Sequence, residues 1–308
     1  MKKILITGAT GFIGSHLTEL LVKTGYKVIA FDRYNPNYNL GCLSDSEFKD
    51  DIEFNFGDIR DYDSVQKEVK KVDTVIHLAA LIGIPYSYNS PLAYYKTNIE
   101  GTYNILESCK NFSLDQIVIT STSEIYGSGQ FFPMNEKHPQ FAQSPYAASK
   151  IGADQLALSY WNSFKTPIKI IRPFNTFGPR QSMRALIPTI ILQALKEKKI
   201  RIGNLTPTRD YTYVEDTINA FLSVLKCKSL LGNVVNVGTG KEYSVREIIK
   251  IITNFLNIEA KIISENNRKR NKGSEVERLK CCNKLLKKKT NWRPKYSFIQ
   301  GIEKTIKW

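Results

Sequence analysis

Glycines at positions 8, 11 and 14 stand between a short β-branched run, Ile4-Leu5-Ile6, and an amphipathic stretch from Ser15 to Lys23. A strand that passes into a helix through such a turn can tighten its backbone and bring it against an anion, which then rests on the first amides of the helix. A tight turn with no ligand would also account for glycines. The strand before them, the helix after them and Asp32 beyond the next strand together point to a dinucleotide instead. Asp32 follows Gly14 at about the spacing where a carboxylate accepts from the adenosine ribose hydroxyls, which favours NAD over a 2′-phosphorylated cofactor. Arg33 offers the opposite reading, because a guanidinium could receive that phosphate. Asp58, in Gly57-Asp58-Ile59, is placed either to reach the adenine or to cap a helix starting near Asp61.

The alternation continues along the chain. Apolar runs at Lys27 to Phe31, Ile52 to Phe56, Asp73 to His77, Gln116 to Thr120 and Ile168 to Ile171 are separated by helical patterns near 13–24, 61–70, 92–109 and 146–163. Strands buried on both faces with crossover helices between them make a Rossmann-type, doubly wound parallel α/β sheet. After Arg172 the rhythm gives way to loops rich in Pro, Thr and Asn, a helix near 185–198, and a late strand from Asn233 to Val237 that returns to the sheet. Helices are expected near 244–256 and 275–289, the latter carrying Cys281 and Cys282. The expected division is a dinucleotide-binding domain over 1–174, completed by about 210–237, and a smaller substrate-binding lobe from 175–209 and 238–308.

Chemistry is suggested first by Ser144-Pro145-Tyr146-Ala-Ala-Ser-Lys150. Pro145 suits a first helical turn, and the i, i+4 spacing puts Tyr146 and Lys150 on one helix face. An ammonium beside a phenol stabilises its anion, so the pair could take a proton from a substrate hydroxyl. Alone, this is equally a surface tyrosine beside a solvated lysine. Ser121-Thr122-Ser123-Glu124-Ile125-Tyr126-Gly127 strengthens it, because it lies at the C-terminal end of a strand, where open α/β sheets hold their ligands.

These motifs, with His77-Leu78-Ala79-Ala80, Asn98 in Asn-Ile-Glu-Gly-Thr, Arg172-Pro-Phe-Asn175, and the stretch from Arg209-Asp-Tyr to Asp216, resemble the extended short-chain dehydrogenase/reductases over nearly the whole chain. The resemblance implies a nucleotide-sugar substrate and recycled NAD. It implies that Gly8, Gly11, Phe12, Ile13, Gly14, Asp32, Asp58, Ile59, Leu78, Ala79, Ala80, Asn98, Tyr146 and Lys150 meet the cofactor. Tyr146 would deprotonate the sugar C4 hydroxyl, Thr122 would hydrogen-bond it and Lys150 would bind the nicotinamide ribose. Glu124 separates the subfamilies. A C4 epimerase needs no extra carboxylate there, whereas a 4,6-dehydratase needs a base for the C5 proton and an acid for the departing C6 hydroxyl. Ser123 stands where glucose 4,6-dehydratases usually carry the acidic Asp, so Glu124 would serve in both capacities. UDP-glucuronate decarboxylases share the triplet. Ser144 to Gln155, Leu205 to Tyr211 and Ser274 to Leu279 resemble N-acetylglucosamine-nucleotide 4,6-dehydratases of legionaminic-acid biosynthesis, a surface-glycan pathway. That similarity implies a UDP- or GDP-N-acetylglucosamine substrate and a homodimer or higher homo-oligomer.

Anion recognition falls to arginines, whose guanidinium fork matches phosphate oxygens with two donors. Arg209 and Arg270 are the candidates for a diphosphate, and Asn175 is a further donor to phosphate or sugar. Arg180 and Arg184 are equally suited to ion pairs. The 308 residues, 42% hydrophobic and 24% charged, are enough for a full core and exclude a disulfide-stapled miniprotein or a disordered chain. The net charge is +15, and the segment from Glu265 onward, with fourteen Lys+Arg against four Asp+Glu, carries +10 of it. An RNA-binding role rests on that charge alone; without interleaved aromatics the charge reads as solvated surface. No run approaches the length of a membrane span, and Met-Lys-Lys-Ile-Leu-Ile stops at Thr7-Gly8 before reaching the apolar length of a secretory leader. Five cysteines without a C-x-x-C and three histidines give no metal spacing and suggest reduced thiols in the cytoplasm. His77 reads as a packed core residue.

Overall fold

A computed structural model describes residues 2–268 and 270–308. Six strands, β1 (Lys3–Thr7), β2 (Lys27–Arg33), β3 (Ile52–Gly57), β4 (Thr74–His77), β5 (Gln116–Thr120) and β6 (Ile168–Pro173), lie parallel, and Val234–Val237 joins them beside β6. Counting from that late strand, the sheet runs late strand, β6, β5, β4, β1, β2, β3. The chain therefore builds outward from β1 through β2 and β3, then crosses to the other side of β1 with β4. The loops after β1 and β4 diverge there, opening the crevice in which doubly wound sheets bind ligands. Ile4, Leu5, Ile6, Val75, Ile76, Ile117, Val118 and Ile119 are buried, as a sheet covered on both faces requires.

The covering helices are α1 (Phe12–Lys23), α2 (Tyr62–Val69), α3 (Ile84–Asn89), α4 (Pro91–Tyr94), α5 (Gly101–Lys110) and α6 (Pro145–Phe164). The pattern near 92–109 is not one helix: a widened π-helical turn over Tyr95–Glu100 separates α4 from α5 and carries Asn98. Ser144 caps α6 by accepting from the Ala147 amide, with Pro145 in the first turn.

After β6 follow β7 (Asn175–Phe177), α7 (Leu186–Glu197), β8 (Lys199–Ile202), β9 (Thr208–Tyr213) and α8 (Val214–Lys226), the last packed on α1 and β6. After the returning strand β10 (Val234–Val237) follow β11 (Glu242–Ser244), α9 (Val245–Leu256), β12 (Lys261–Ser264), β13 (Arg278–Leu279), α10 (Lys284–Lys289) and α11 (Phe298–Lys307). Strands β11, β9 and β13 form a small sheet, with β7 also paired to β9.

The helix expected over 275–289 is a correction. Only Lys284–Lys289 is helical. Upstream, Arg278 and Leu279 pair with Thr208 and Arg209, and Cys281 bridges Met134. Leu279 and Cys281 are buried with Ile125, Tyr126 and Met134, whereas Arg278 is exposed and Lys280 half-buried, the period-two signature of a strand. Cys281 and Cys282 thus lie in extended chain, not on a basic helix. Among the described residues no helix is long and apolar enough to cross a membrane, and no cluster of His, Cys, Asp and Glu has metal-binding geometry.

Candidate active site

At the switch point Gly8 has φ +71°, and a Cβ there would lie 2.8 Å from the Ala79 amide nitrogen. A Cβ on Gly14 would lie 2.1 Å from the Gly8 carbonyl oxygen. The loop is thus compressed against both the start of α1 and the loop after β4. Gly11 caps α1 without a side chain, so the first-turn amides around Phe12, Ile13 and Gly14 have no side-chain acceptor. Asp32, at the end of β2, accepts from the Thr10 amide at 2.9 Å and the Thr10 hydroxyl at 2.6 Å, which fixes its carboxylate beside this turn.

Around this cradle some expected contacts serve the chain itself. Asp61 caps α2, while Asp58 accepts a forked pair of bonds from Arg60 at 2.9 and 2.5 Å. The Ile59 carbonyl accepts from Asn104, and its side chain packs on Gly101. Asn98 accepts from the Leu81 amide at 2.8 Å and donates to the Leu81 carbonyl and the Ser149 hydroxyl at 2.9 Å, joining the loop after β4 to α6. Leu78 and Ala79 donate their amides to the Thr7 carbonyl and hydroxyl, and Ala80 follows in the same loop. His77 bonds Thr7 and Thr102; burial pushes its imidazole down to about 3, so it is a neutral core residue.

Across the crevice, β5 ends at Thr120 and the chain makes a single turn over Ser123–Tyr126. Thr122 caps the turn by accepting from the Glu124 amide, and Ser123 is buried within it. Tyr146 and Lys150 project from the same face of α6, as the spacing requires. Their electrostatics differ from the expected pairing. The Lys150 ammonium donates to the Thr120 carbonyl at 2.6 Å, and burial lowers its pKa. Burial pushes the Tyr146 phenol upward against a downward pull from its Thr122 hydrogen bond. Tyr94 meets the Tyr146 ring edge-on, with centroids 6.2 Å apart.

Beneath this turn lies a polar layer that residue patterns did not disclose. Asp154 accepts from Ser121 at 2.7 Å and from the Arg172 Nε at 3.0 Å; Arg172 also donates to Tyr126, which donates to Asn236. Asp154 stands one helical turn after Lys150, so its position on the same face was visible, but its partner on β6 was not. Both ends of the Ser121–Tyr126 segment are therefore tied to α6 and β6.

The substrate-side candidates separate. Arg209 lies 3.9 Å from Glu124, and Arg270 lies 3.7 Å from the same carboxylate. Glu275, not among the expected residues, approaches Arg209 at 3.8 Å. Asn175 is half-buried on β7, opposite Tyr211. Arg180 turns instead toward α1 and binds both Glu19 oxygens at 2.9 Å, an ion pair between the lobes.

A doubly wound sheet with a glycine cradle at its switch point and a Tyr-x-x-x-Lys pair facing it defines an extended short-chain dehydrogenase/reductase of the NAD-dependent epimerase/dehydratase class. The chain belongs to the GDP-mannose 4,6 dehydratase family, whose model matches residues 5–305. It is 39% identical over 275 residues to a dTDP-D-glucose 4,6-dehydratase of Dictyostelium discoideum, covering 83% of this chain and 62% of that protein. The chain thus spans about three-fifths of that relative. Among solved structures, UDP-glucuronic acid 4-epimerase from Bacillus cereus, in complex with UDP-glucuronic acid and NAD, superposes with a TM-score of 0.91 at 30% identity over 99% of this chain and 98% of that one. The dTDP-glucose 4,6-dehydratase of Bacillus anthracis, in complex with NAD, gives 0.88 at 29% identity over 100% and 96%.

Proposed function

We propose that the protein is an NAD-dependent nucleotide-sugar 4,6-dehydratase acting on UDP- or GDP-N-acetylglucosamine and yielding the 4-keto-6-deoxy sugar. The observation that carries this reading is Glu124. Its carboxylate shares the pocket of Tyr146, adds to the upward push on that phenol, and faces two guanidinium groups. Epimerisation at C4 has no use for a carboxylate so placed; elimination of water across C5 and C6 does.

The cradle fits a dinucleotide: Gly8 and Gly14 leave no room for a Cβ, α1 starts without a side-chain cap, and Asp32 is fixed beside the turn. NAD, when bound, supplies the acceptor and later the donor of hydride. The protein's own work is proton handling and placement. Tyr146, as the phenolate, takes the C4 hydroxyl proton with Thr122 holding that oxygen. Lys150, anchored on Thr120, contributes positive charge beside the phenol. Glu124 removes the C5 proton and passes it to the C6 hydroxyl, which leaves as water, since Ser123 is no acid; the proton first taken by Tyr146 balances the one that C5 receives when hydride returns to C6. Asn175 donates to sugar or phosphate and Arg209 and Arg270 face the diphosphate. Cytoplasmic surface-glycan synthesis of the legionaminic type and a homodimeric assembly complete the reading, both from the resemblance.

C4 epimerisation is the second reading, favoured by the close superposition on an epimerase and by Ser123 in place of a second acid. Product mass decides. Incubation with UDP- or GDP-N-acetylglucosamine without added reductant should give loss of one water; an unchanged mass with an altered sugar isomer would replace dehydration with epimerisation. Glu124→Gln should preserve NAD binding and lower turnover by about 10²–10⁴, and unchanged turnover would remove Glu124 from the chemistry.

A further inference from the structure

The Arg209 cluster is paired loosely and almost out of water; Arg201 keeps similar separations of 3.8 Å from Glu197 and 3.7 Å from Glu265, but with its side chain 37% exposed. Arg180 grips Glu19 with two bonds of 2.9 Å, and Arg278 grips Glu242 with bonds of 2.6 to 3.0 Å. In the active site the separations are 3.9 Å for Arg209 and Glu124, 3.8 Å for Arg209 and Glu275, and 3.7 Å for Arg270 and Glu124. All exceed hydrogen-bond length. Yet the side chains of Arg209, Glu124 and Glu275 are only 8%, 13% and 14% exposed, so little water makes up the deficit. The Arg270 Nη1 is buried with no hydrogen-bond partner among the described residues. Arg209 donates from Nη1 to the Thr208 carbonyl at 3.0 Å, but neither guanidinium hydrogen-bonds a carboxylate among the described residues; two cations and two anions thus balance in charge without close pairing, an arrangement suited to an incoming group with several anionic oxygens.

Glu275 differs from Glu124 in its support. It follows Gly273 and Ser274, which are held by the Gln143 amide and the Tyr88 hydroxyl, and its own amide donates to the Asn271 carbonyl. The segment is thus held through the Gly273 carbonyl, the Ser274 hydroxyl and the Glu275 amide, while none of its described neighbours in this segment donates a hydrogen bond to the Glu275 carboxylate.

We propose that Glu275 is a resident counter-ion for Arg209 that competes with the substrate's diphosphate and so sets how tightly the nucleotide is held. Before substrate arrives, it supplies the second negative charge for two guanidinium groups that would otherwise share Glu124 alone. When the diphosphate arrives, Arg209 exchanges a long carboxylate contact for phosphate oxygens, and Glu275 turns away. No bond is made or broken in this exchange. The inference rests on the nucleotide-sugar reading above and adds a residue that opposes binding.

The test is calorimetric titration of the full chain with UDP and with GDP, comparing the unmodified protein with Glu275→Gln and Glu275→Ala. Removal of the carboxylate should tighten the nucleotide that binds by about three- to thirty-fold, with NAD affinity unchanged. A merely structural role would move affinity the other way, because a damaged site binds less. Equal or weaker nucleotide binding by whichever variant keeps the unmodified melting temperature overturns the counter-ion role and leaves the nucleotide-sugar reading standing. Failure of the unmodified protein to bind either nucleotide overturns both.

Discussion

Asp154→Asn is the most exacting perturbation of the site's foundations. The carboxylate and Arg172 are 0% and 2% exposed, and one oxygen, Oδ2, accepts from Arg172 Nε and the Ser121 hydroxyl and lies 3.0 Å from Arg172 Nη2. An amide keeps the shape and removes the charge, leaving a buried guanidinium with only neutral partners, the amide oxygen and Tyr126, within hydrogen-bonding distance. Removing one member of a buried ion pair costs about 3–5 kcal/mol, because the other charge is left uncompensated. For a chain of this length each kcal/mol lowers the melting temperature by roughly 2 °C, so a fall of roughly 6–10 °C is expected by calorimetry at a fixed scan rate. The pair of substitutions Asp154→Leu and Arg172→Met removes both charges together, and should recover a large part of the loss. Turnover should fall in the single variant as well, since Ser121 and Tyr126 are the two ends of the turn that carries Thr122 and Glu124. A single-variant cost below about 1 kcal/mol, or costs that simply add in the double variant, would show that the pair does not lock the turn.

Three other changes probe different layers. Gly14→Ala should improve helix propensity by about 1 kcal/mol yet weaken NAD binding more than about ten-fold, because its Cβ would meet the Gly8 carbonyl; undiminished affinity by titration would remove the cradle from cofactor binding. Tyr146→Phe should leave NAD binding intact and lower the single-turnover oxidation rate by about 10²–10⁴; a normal rate of bound-NAD reduction would assign the base elsewhere. His77 gives a pH signature. Its folded value of about 3 lies below the unfolded value near 6.5, so the unfolded chain binds the proton more readily. The stability from the neutral ring is complete above pH 6.5 and is lost as pH falls toward 3, at up to about 1.4 kcal/mol per unit. His77→Gln should flatten that part of the acid-unfolding profile, and an unaltered slope would contradict the burial argument.

What the amino-acid sequence disclosed was what neighbours in the chain decide among themselves. The β-branched runs that became β1, β4, β5 and β6 are buried on both faces, so their apolar character is continuous and local, while edge strand β3 is only partly buried. The turn from Gly8 to Gly14 and the Tyr146–Lys150 spacing are likewise written within one turn and one helix. Failures begin where a partner is remote. Arg278 to Cys281 was hidden among lysines because its alternation acquires meaning only against β9 and Met134. Arg180 has the right chemistry for a ligand, but chemistry does not name the recipient: it grips Glu19. The same limit kept Asp154 and Glu275 out of view, since an acidic residue acquires a role only when Arg172 or Arg209 is brought to it. These two acids make opposite uses of an arginine. Asp154 holds its guanidinium at hydrogen-bonding distance and stiffens the floor of the turn, whereas Glu275 stands off by 3.8 Å and leaves Arg209 able to change partners. A rigid floor beneath loosely paired cations is what a site needs if it must hold Thr122 and Glu124 still while admitting an anion above them.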